Sequence, residues 1–279
     1  MYAYDSTPTK KGYVPQYFAL VLIIGAAAYT PWVLASYGLF PDALGTVCLI
    51  IGGFSPTIAA VLLTAWQGGW SGLRSLFKGF IRRGFPKKWY LFAFLTPLVL
   101  CLCALAPWFI LQPHAFLIYA FFDLATVFSF PLTLLGAFVM NMWEEIGWRG
   151  YAQSRLQTKY SVLLSSFIVG FFWALWHWPL FVVRDSVMLN NFQNPLLFGA
   201  FIMLISVTYG WLYNGTKGSL LAVSIFHSSI NSFATLLFFN STIAYSVFPY
   251  YFVACAVLAF GLIVLRRSTL WAPAVAPQN

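Results

Sequence analysis

The sequence is poor in charge, and poorest in acidic residues. Only 8% of its 279 residues are charged and 61% are hydrophobic, whereas a soluble domain carries about 25% charged residues. Asp and Glu together number six, and Glu144 and Glu145 are the only glutamates. This composition excludes an ordinary soluble domain. It predicts an all-α polytopic membrane protein, with residues 1–279 forming one membrane domain.

Several common site motifs are also missing. The four cysteines lie in apolar runs without any CxxC spacing, which favours small buried hydrophobes over a disulfide framework or a metal site. No HExxH zinc helix and no GxSxG serine elbow is present, so neither of those two chemistries has its usual signature. The formal net charge of +9 comes from loop residues that set membrane topology, and we expect no nucleic-acid partner.

Eight apolar runs are long enough to cross a bilayer, since a span needs about 20 mostly apolar residues. If the N-terminus is cytoplasmic, every Lys and Arg except Arg184 falls on the cytoplasmic side. The positive-inside rule therefore predicts that both termini are cytoplasmic. The predicted spans are 14–37, 43–66, 89–112, 124–145, 161–183, 196–213, 219–239 and 243–265.

The most basic loop is residues 68–89. Arg74, Lys78 and Arg82 recur every four residues between apolar side chains. This pattern predicts an amphipathic helix on the cytoplasmic surface, with membrane lipid as its partner.

A few ionisable and amide side chains lie within the predicted spans, where their cost makes them functional candidates. In span seven a polar stripe on one helix face consists of Ser224, His227, Ser228 and Asn231. Hydrogen bonding between helices would be its simplest role. The candidates are Glu144 and Glu145 in span four, His177 in span five, and His227 and Asn231 in span seven.

The two adjacent glutamates are predicted to have different tasks. Glu145 and Arg149 are four residues apart, so they can pair on one helix face. Glu144 points about 100° away, where it can face the bundle interior and act as a general base on water.

Three chemistries fit one carboxylate and two histidines in a helix bundle. The first is hydrolysis, with Glu144 activating water and His227 and Asn231 stabilising an oxyanion. The second is a metal such as zinc, with Glu144, His177 and His227 as ligands. The third is proton-coupled transport.

The order and flanks of three motifs resemble a known family. The motifs are "EEIGWR" (EExxxR), "WALWH" in the place of FxxxH, and "HSSIN" (HxxxN). Over residues 141–235 the sequence is similar to the CAAX prenyl protease type II and bacteriocin-processing (CPBP, or Abi) family of intramembrane endopeptidases. Trp173 stands where the family usually has Phe, and we expect a packing change there.

The resemblance implies a catalytic core at 141–235 and an endopeptidase whose site opens to the cytoplasmic side. Glu144 and His177 would activate water, His227 and Asn231 would form the oxyanion site, and Glu145 and Arg149 would support them. The substrate would be a lipidated peptide of CAAX type or another membrane-associated protein, cleaved near its C-terminus. The membrane would be the cell membrane in a prokaryote and the endoplasmic reticulum in a eukaryote.

Two alternatives stay open at this point. The chain could be a non-proteolytic scaffold or immunity protein with the same fold, or a proton-coupled transporter. Neither a zinc ion nor a metal-free site is excluded. His177 lies about 24 Å into span five, so we expect "EEIGWR" to be buried below the membrane surface and residues 150–158 to form a surface helix.

Overall fold

The computed structural model describes residues 13–113, 124–239 and 241–271. Within these ranges the regular structure is helical and no β-strand occurs. Eight long helices account for most of the described chain. They are α1 (Val14–Ser36), α2 (Asp42–Phe77), α3 (Lys88–Leu111), α4 (Leu124–Glu145), α5 (Val162–His177), α6 (Pro195–Gly215), α7 (Leu220–Leu237) and α8 (Ala244–Leu265).

The all-α membrane fold predicted from the sequence is confirmed. Among the described residues, seven helices are long and apolar enough to cross a membrane. They correspond to seven of the eight predicted spans. The remaining one, 124–145, is helix α4, which is not among these seven. In lipid, backbone N–H and C=O groups must be satisfied within the segment, which is why these apolar runs become helices. The protein is an integral membrane protein.

Polar caps mark the beginnings of α5, α6 and α7. Ser161 accepts a hydrogen bond from the Leu164 N–H at the start of α5. Asn194 caps α6 and Ser219 caps α7 in the same manner. Each cap satisfies a backbone donor that the first helical turn leaves free.

Helix α7 lies at the centre of the bundle. It packs against α3 on one side and α4 on another, and 67% of its most apolar window is buried within the protein, against 33% for α1 and α8. A polar residue on α7 therefore faces protein rather than lipid on most of its circumference.

A π-helix, Ile146–Gln153, continues α4 beyond Glu145. Its wide turn is visible in the bond from the Ser154 N–H to the Arg149 carbonyl, an i→i+5 spacing. All eight residues are buried, and the segment packs against α2. The segment "IGWR" is therefore buried within the protein, and its depth below the membrane surface stays a prediction.

The predicted surface helix at 150–158 is wrong. Residues 150–153 belong to the buried π-helix, Ser154–Leu156 form a single short helical turn, and Gln157 is buried again. The stretch contains several polar residues, which favoured a surface position. Tyr151 and Ala152 are nevertheless fully buried, and their packing against the core keeps the segment inside the protein.

The basic segment 68–89 is helical over only part of its length. Gly69 adopts φ 54°, which bends α2, and the helix then resumes to Phe77 and continues as a 3₁₀ turn, Lys78–Ile81. A positive φ is easy only for glycine. Residues 82–87 are not helical, so the predicted amphipathic helix is shorter than expected.

The π-helix approaches α2 so closely that only glycine fits at position 147. A Cβ added there would lie 2.5 Å from the Pro56 carbonyl oxygen and 2.5 Å from the Tyr17 hydroxyl. We expect Gly147→Ala to lower the free energy of unfolding by about 1–3 kcal/mol, because the backbone must shift.

The measurement is thermal unfolding of the purified protein in detergent, with Gly136→Ala as the matched control. A Cβ at Gly136 meets nothing within 4 Å, and alanine is the better helix former. Equal melting temperatures for the two variants would contradict the close approach.

Candidate active site

A cavity of about 230 Å³ brings the four predicted catalytic residues to one place. Glu144 comes from α4, His177 from the end of α5, and His227 and Asn231 from successive turns of α7. Most of the remaining wall is aliphatic or aromatic, with side chains from α6 such as Phe198, Phe201 and Ile205. The ionisable groups are therefore concentrated at one end of an apolar chamber.

Glu145 lies behind the cavity wall in a fully buried ion pair. Its Oε1 accepts a hydrogen bond from Arg149 Nη1 at 2.9 Å, and the two side chains are 0% and 1% exposed. The pairing predicted from the i, i+4 spacing is present. Glu145 is not among the cavity-lining residues, whereas Glu144 is. The adjacent glutamates are separated as helix geometry predicted.

The same carboxylate oxygen also holds His227. The distance from His227 Nδ1 to Glu145 Oε1 is 2.8 Å. A carboxylate oxygen accepts hydrogen bonds, so Nδ1 is the donor of this contact, and in a neutral ring the lone pair then lies on Nε2. Sequence reasoning missed this link between α4 and α7, since it joins residues far apart in the chain.

Aromatic rings enclose the Arg149 guanidinium. Its central carbon lies 4.5 Å from the Trp173 ring centroid and 3.9 Å from that of Tyr209. Such contacts stabilise a desolvated cation. Tyr209 was not predicted, because a tyrosine in an apolar span carries no signal that separates it from the core.

Glu144 has a hydrogen-bond donor that the sequence analysis did not foresee. The indole Nε1–H of Trp173 donates to Glu144 Oε2 at 2.9 Å. The backbone carbonyl of Trp173 accepts from His177 Nδ1 at 2.8 Å. His177 therefore also keeps the lone pair of its neutral ring on Nε2. A phenylalanine at position 173 has no N–H and could not make the contact to Glu144.

Asn231 is held by a residue one turn before the glutamates. Its Nδ2 donates to Asn141 Oδ1 at 3.3 Å. Asn141 is 4% exposed and was not predicted, although an amide in an apolar span is itself a signal. One Asn231 N–H remains for another acceptor, because an amide has two.

The serines of the polar stripe on α7 do not line the cavity with His227 and Asn231. Ser228 Oγ donates to the Ser224 carbonyl at 2.6 Å within the helix. Ser228 lines a different, apolar hollow between α3, α4 and α7. The helix-binding role fits these serines, while the histidine and asparagine face the chamber.

The three proposed metal ligands do not form a metal site in this arrangement. Among residues 13–113, 124–239 and 241–271, no three His, Cys, Asp or Glu side chains are grouped so that they could hold an ion. The Nδ1 atoms of both histidines are bound to oxygen acceptors and Glu144 Oε2 is bound by an indole, so the two Nε2 atoms and Glu144 Oε1 are the atoms that face the cavity without these partners. As placed here, Glu144, His177 and His227 are not grouped to hold one ion.

The cavity extends away from the basic loops. Its outer wall includes Leu180, Met188 and Phe239, which lie near the end of α5, before α6 and after α7. Toward the basic end lies the buried π-helix, none of whose residues lines the cavity. We call the end at Leu180, Met188 and Phe239 the outer chamber. The two predictions about its orientation disagree: the positive-inside rule places it on the non-cytoplasmic side, whereas the family resemblance predicts an opening to the cytoplasm.

Two comparisons with known proteins bear on these residues. Residues 126–233 match the family model described as Type II CAAX prenyl endopeptidase Rce1-like. The resemblance to this family is confirmed. A 92-residue stretch, 32% of the chain, is 37% identical to "CAAX prenyl protease 2" of Methanococcus maripaludis. That stretch covers 34% of the relative, so the match spans about a third of the curated protein's length. The family match includes every candidate site residue.

The buried charge cluster makes a testable claim about stability. We expect Arg149→Met to lower the free energy of unfolding by about 3–5 kcal/mol, because it leaves the buried Glu145 carboxylate without its arginine partner. Adding Glu145→Gln to that variant should recover part of the loss. Thermal unfolding in detergent measures both effects, and Arg184→Met, which removes an exposed arginine, is the control. If Arg149→Met alone were as stable as Arg184→Met, the buried ion pair would be contradicted.

Thiol labelling decides which face the outer chamber occupies. The native cysteines are first replaced by serine, and one cysteine is then introduced at Asn190 or at Lys159, both exposed. If the N-terminus is cytoplasmic, a membrane-impermeant maleimide should label Asn190→Cys in intact cells and Lys159→Cys only after lysis. The reverse pattern would show that the positive-inside prediction is wrong for this chain.

Proposed function

We propose that the protein is an intramembrane endopeptidase that hydrolyses a peptide bond with water activated by Glu144. One observation carries this proposal: Glu144, His177, His227 and Asn231 line one apolar cavity, while Glu145 and Arg149 are buried behind it. A carboxylate in a cavity, shielded from bulk water, is suited to act as a general base. The confirmed family resemblance supports the same class of reaction.

The chemistry needs only groups that the cavity supplies. The oxygen of a water molecule attacks the carbonyl carbon of the scissile peptide bond, and its proton passes to the Glu144 carboxylate. The C–N bond then breaks, and Glu144 returns the proton to the leaving nitrogen. His177, through the lone pair on Nε2, accepts a hydrogen bond from the attacking water. No step uses a metal ion.

Asn231 and His227 are the groups we assign to the developing oxyanion. The free N–H of Asn231 is a neutral donor. Because Nδ1 of His227 is held by Glu145, His227 donates from Nε2 only when it is doubly protonated. Glu145 and Arg149 support the site by fixing this ring and the end of α4.

The substrate we propose is a protein or peptide whose C-terminal region reaches the cavity from within the membrane. The relative's name assigns it a CAAX prenyl substrate, and we extend the lipidated CAAX-type peptide to this chain as the first candidate. A mainly apolar chamber wall is compatible with such a substrate. Membrane-associated peptides without a prenyl group are the second candidate, and lipid is the surrounding partner.

Cleavage by the purified full chain in liposomes tests the function. The substrates are a farnesylated CAAX peptide, the same peptide without the lipid, and an apolar membrane-spanning peptide. Glu144→Gln and His227→Ala should each lower kcat by about 10²–10⁴-fold, as expected when a catalytic proton-transfer or charge-stabilising group is lost. Mass spectrometry of the products identifies the bond that is cut.

Asn214→Ala is the matched control, since Asn214 is a partly buried amide that donates to the Gly210 carbonyl within α6 and does not line the cavity. Variants at Glu144 and His227 that cleave like the parent would overturn the protease assignment. A scaffold or a transporter would then account for the fold.

A further inference from the structure

One residue contacts both members of the water-activating pair. The indole N–H of Trp173 donates to Glu144 Oε2 at 2.9 Å, and the carbonyl of the same residue accepts from His177 Nδ1 at 2.8 Å. The first contact crosses from α5 to α4, and the second lies within the last turn of α5. The relative placement of Glu144 and His177 thus passes through Trp173.

The Trp173 ring has little freedom to turn. It is 2% exposed and meets the Tyr209 and His227 rings edge to face, with centroid distances of 5.5 Å and 5.2 Å. The Arg149 guanidinium lies over it at 4.5 Å. A ring packed on several sides holds its N–H in one direction, which is what a hydrogen bond that orients a carboxylate requires.

We propose that Trp173 is a positioning residue, whose indole N–H fixes the Glu144 carboxylate so that its other oxygen, Oε1, faces the attacking water. The inference rests on the proposed function. With Oε2 held, the carboxylate cannot rotate freely about its terminal bond, and Oε1 is left to take the proton. Orientation of a general base in this manner contributes to rate without contributing to substrate binding.

A purely structural account of the same contact makes a different prediction. On that account the indole N–H only satisfies a buried donor, and its loss costs stability alone. Trp176, on the same helix, supplies the comparison. It is 4% exposed and its indole N–H donates to Ser55 Oγ at 2.8 Å. Its ring lies edge to face with His177 at a centroid distance of 4.7 Å, a ring contact that a phenylalanine can keep, and neither Trp176 nor Ser55 lines the cavity.

The kinetic test compares Trp173→Phe with Trp176→Phe in the full chain in liposomes. Both variants lose one buried indole hydrogen bond, but only the first loses a contact to Glu144. We expect Trp173→Phe to lower kcat by about tenfold or more, in line with a hydrogen bond to a charged group, and to leave KM unchanged. Trp176→Phe should retain the parent kcat. Equal kcat for Trp173→Phe and the parent would overturn the proposal.

A second variant removes the N–H while keeping both rings. In β-(3-benzothienyl)alanine, introduced at position 173, sulfur replaces the indole N–H, so packing on Arg149 and Tyr209 is preserved. It should show the same loss of kcat as Trp173→Phe. A benzothienyl protein with the parent kcat would show that packing, not the hydrogen bond, is what matters, and would overturn the proposal even if Trp173→Phe fails to fold.

Ultraviolet resonance Raman spectroscopy tests the contact without any substrate. The difference spectrum between parent and Trp173→Phe isolates the Trp173 indole, whose N–H band reports hydrogen bonding. In a Glu144→Ala background that band should move to the position of a free N–H, and a band that stays in place would overturn the contact.

A parent that cleaves none of the peptides overturns the proposed function. An active parent with a fully active Trp173→Phe variant overturns only the role of Trp173.

Discussion

The buried pair of Glu145 and Arg149 is the contact on which the site depends. Two charges with almost no exposure must compensate each other, because an unpaired charge at this depth would be very costly. The pair also reaches outward: Glu145 holds the His227 ring, and Arg149 lies against Trp173 and Tyr209. Helices α4, α5, α6 and α7 and the π-helix therefore meet at this ion pair, and the cavity-lining groups are arranged around it.

Much of the fold could be predicted because lipid imposes simple rules. Long apolar runs become helices, and the predicted spans agree with α1, α3, α4 and α6–α8 to within two residues. Helix α2 continues past its predicted end at 66 to Phe77, and α5 ends at His177, before its predicted end at 183. The pairing of Glu145 with Arg149 followed from local spacing. The π-helix could not be predicted, since it results from packing against α2 and leaves no periodic signature. Because the π-helix was not foreseen, residues 150–158 were wrongly predicted to form a surface helix.

The candidate residues were found because a charged or amide group in an apolar span is conspicuous. Their roles in the proposed reaction come from chemistry and from family resemblance. The contacts that organise them were harder to predict, because Trp173 and Tyr209 look like any aromatic residue of a membrane helix. Their importance comes from position: each touches Arg149, and Trp173 also touches Glu144. Such neutral neighbours become visible only when the helices are assembled.

The π-helix has a consequence for how the sequence can change in length. A turn of this kind accommodates one more residue than an α-helical turn. If one residue were deleted between Ile146 and Gln153, an ordinary α-helix could form with no break in the backbone. Because the wider turn holds the extra residue, the side chains after the deletion would keep about the same direction relative to those before it. Gly147, packed against α2, and Arg149, paired with Glu145, are the positions that this segment must keep. At its other positions the segment thus accommodates a change of length more readily than these two positions accommodate a change of residue.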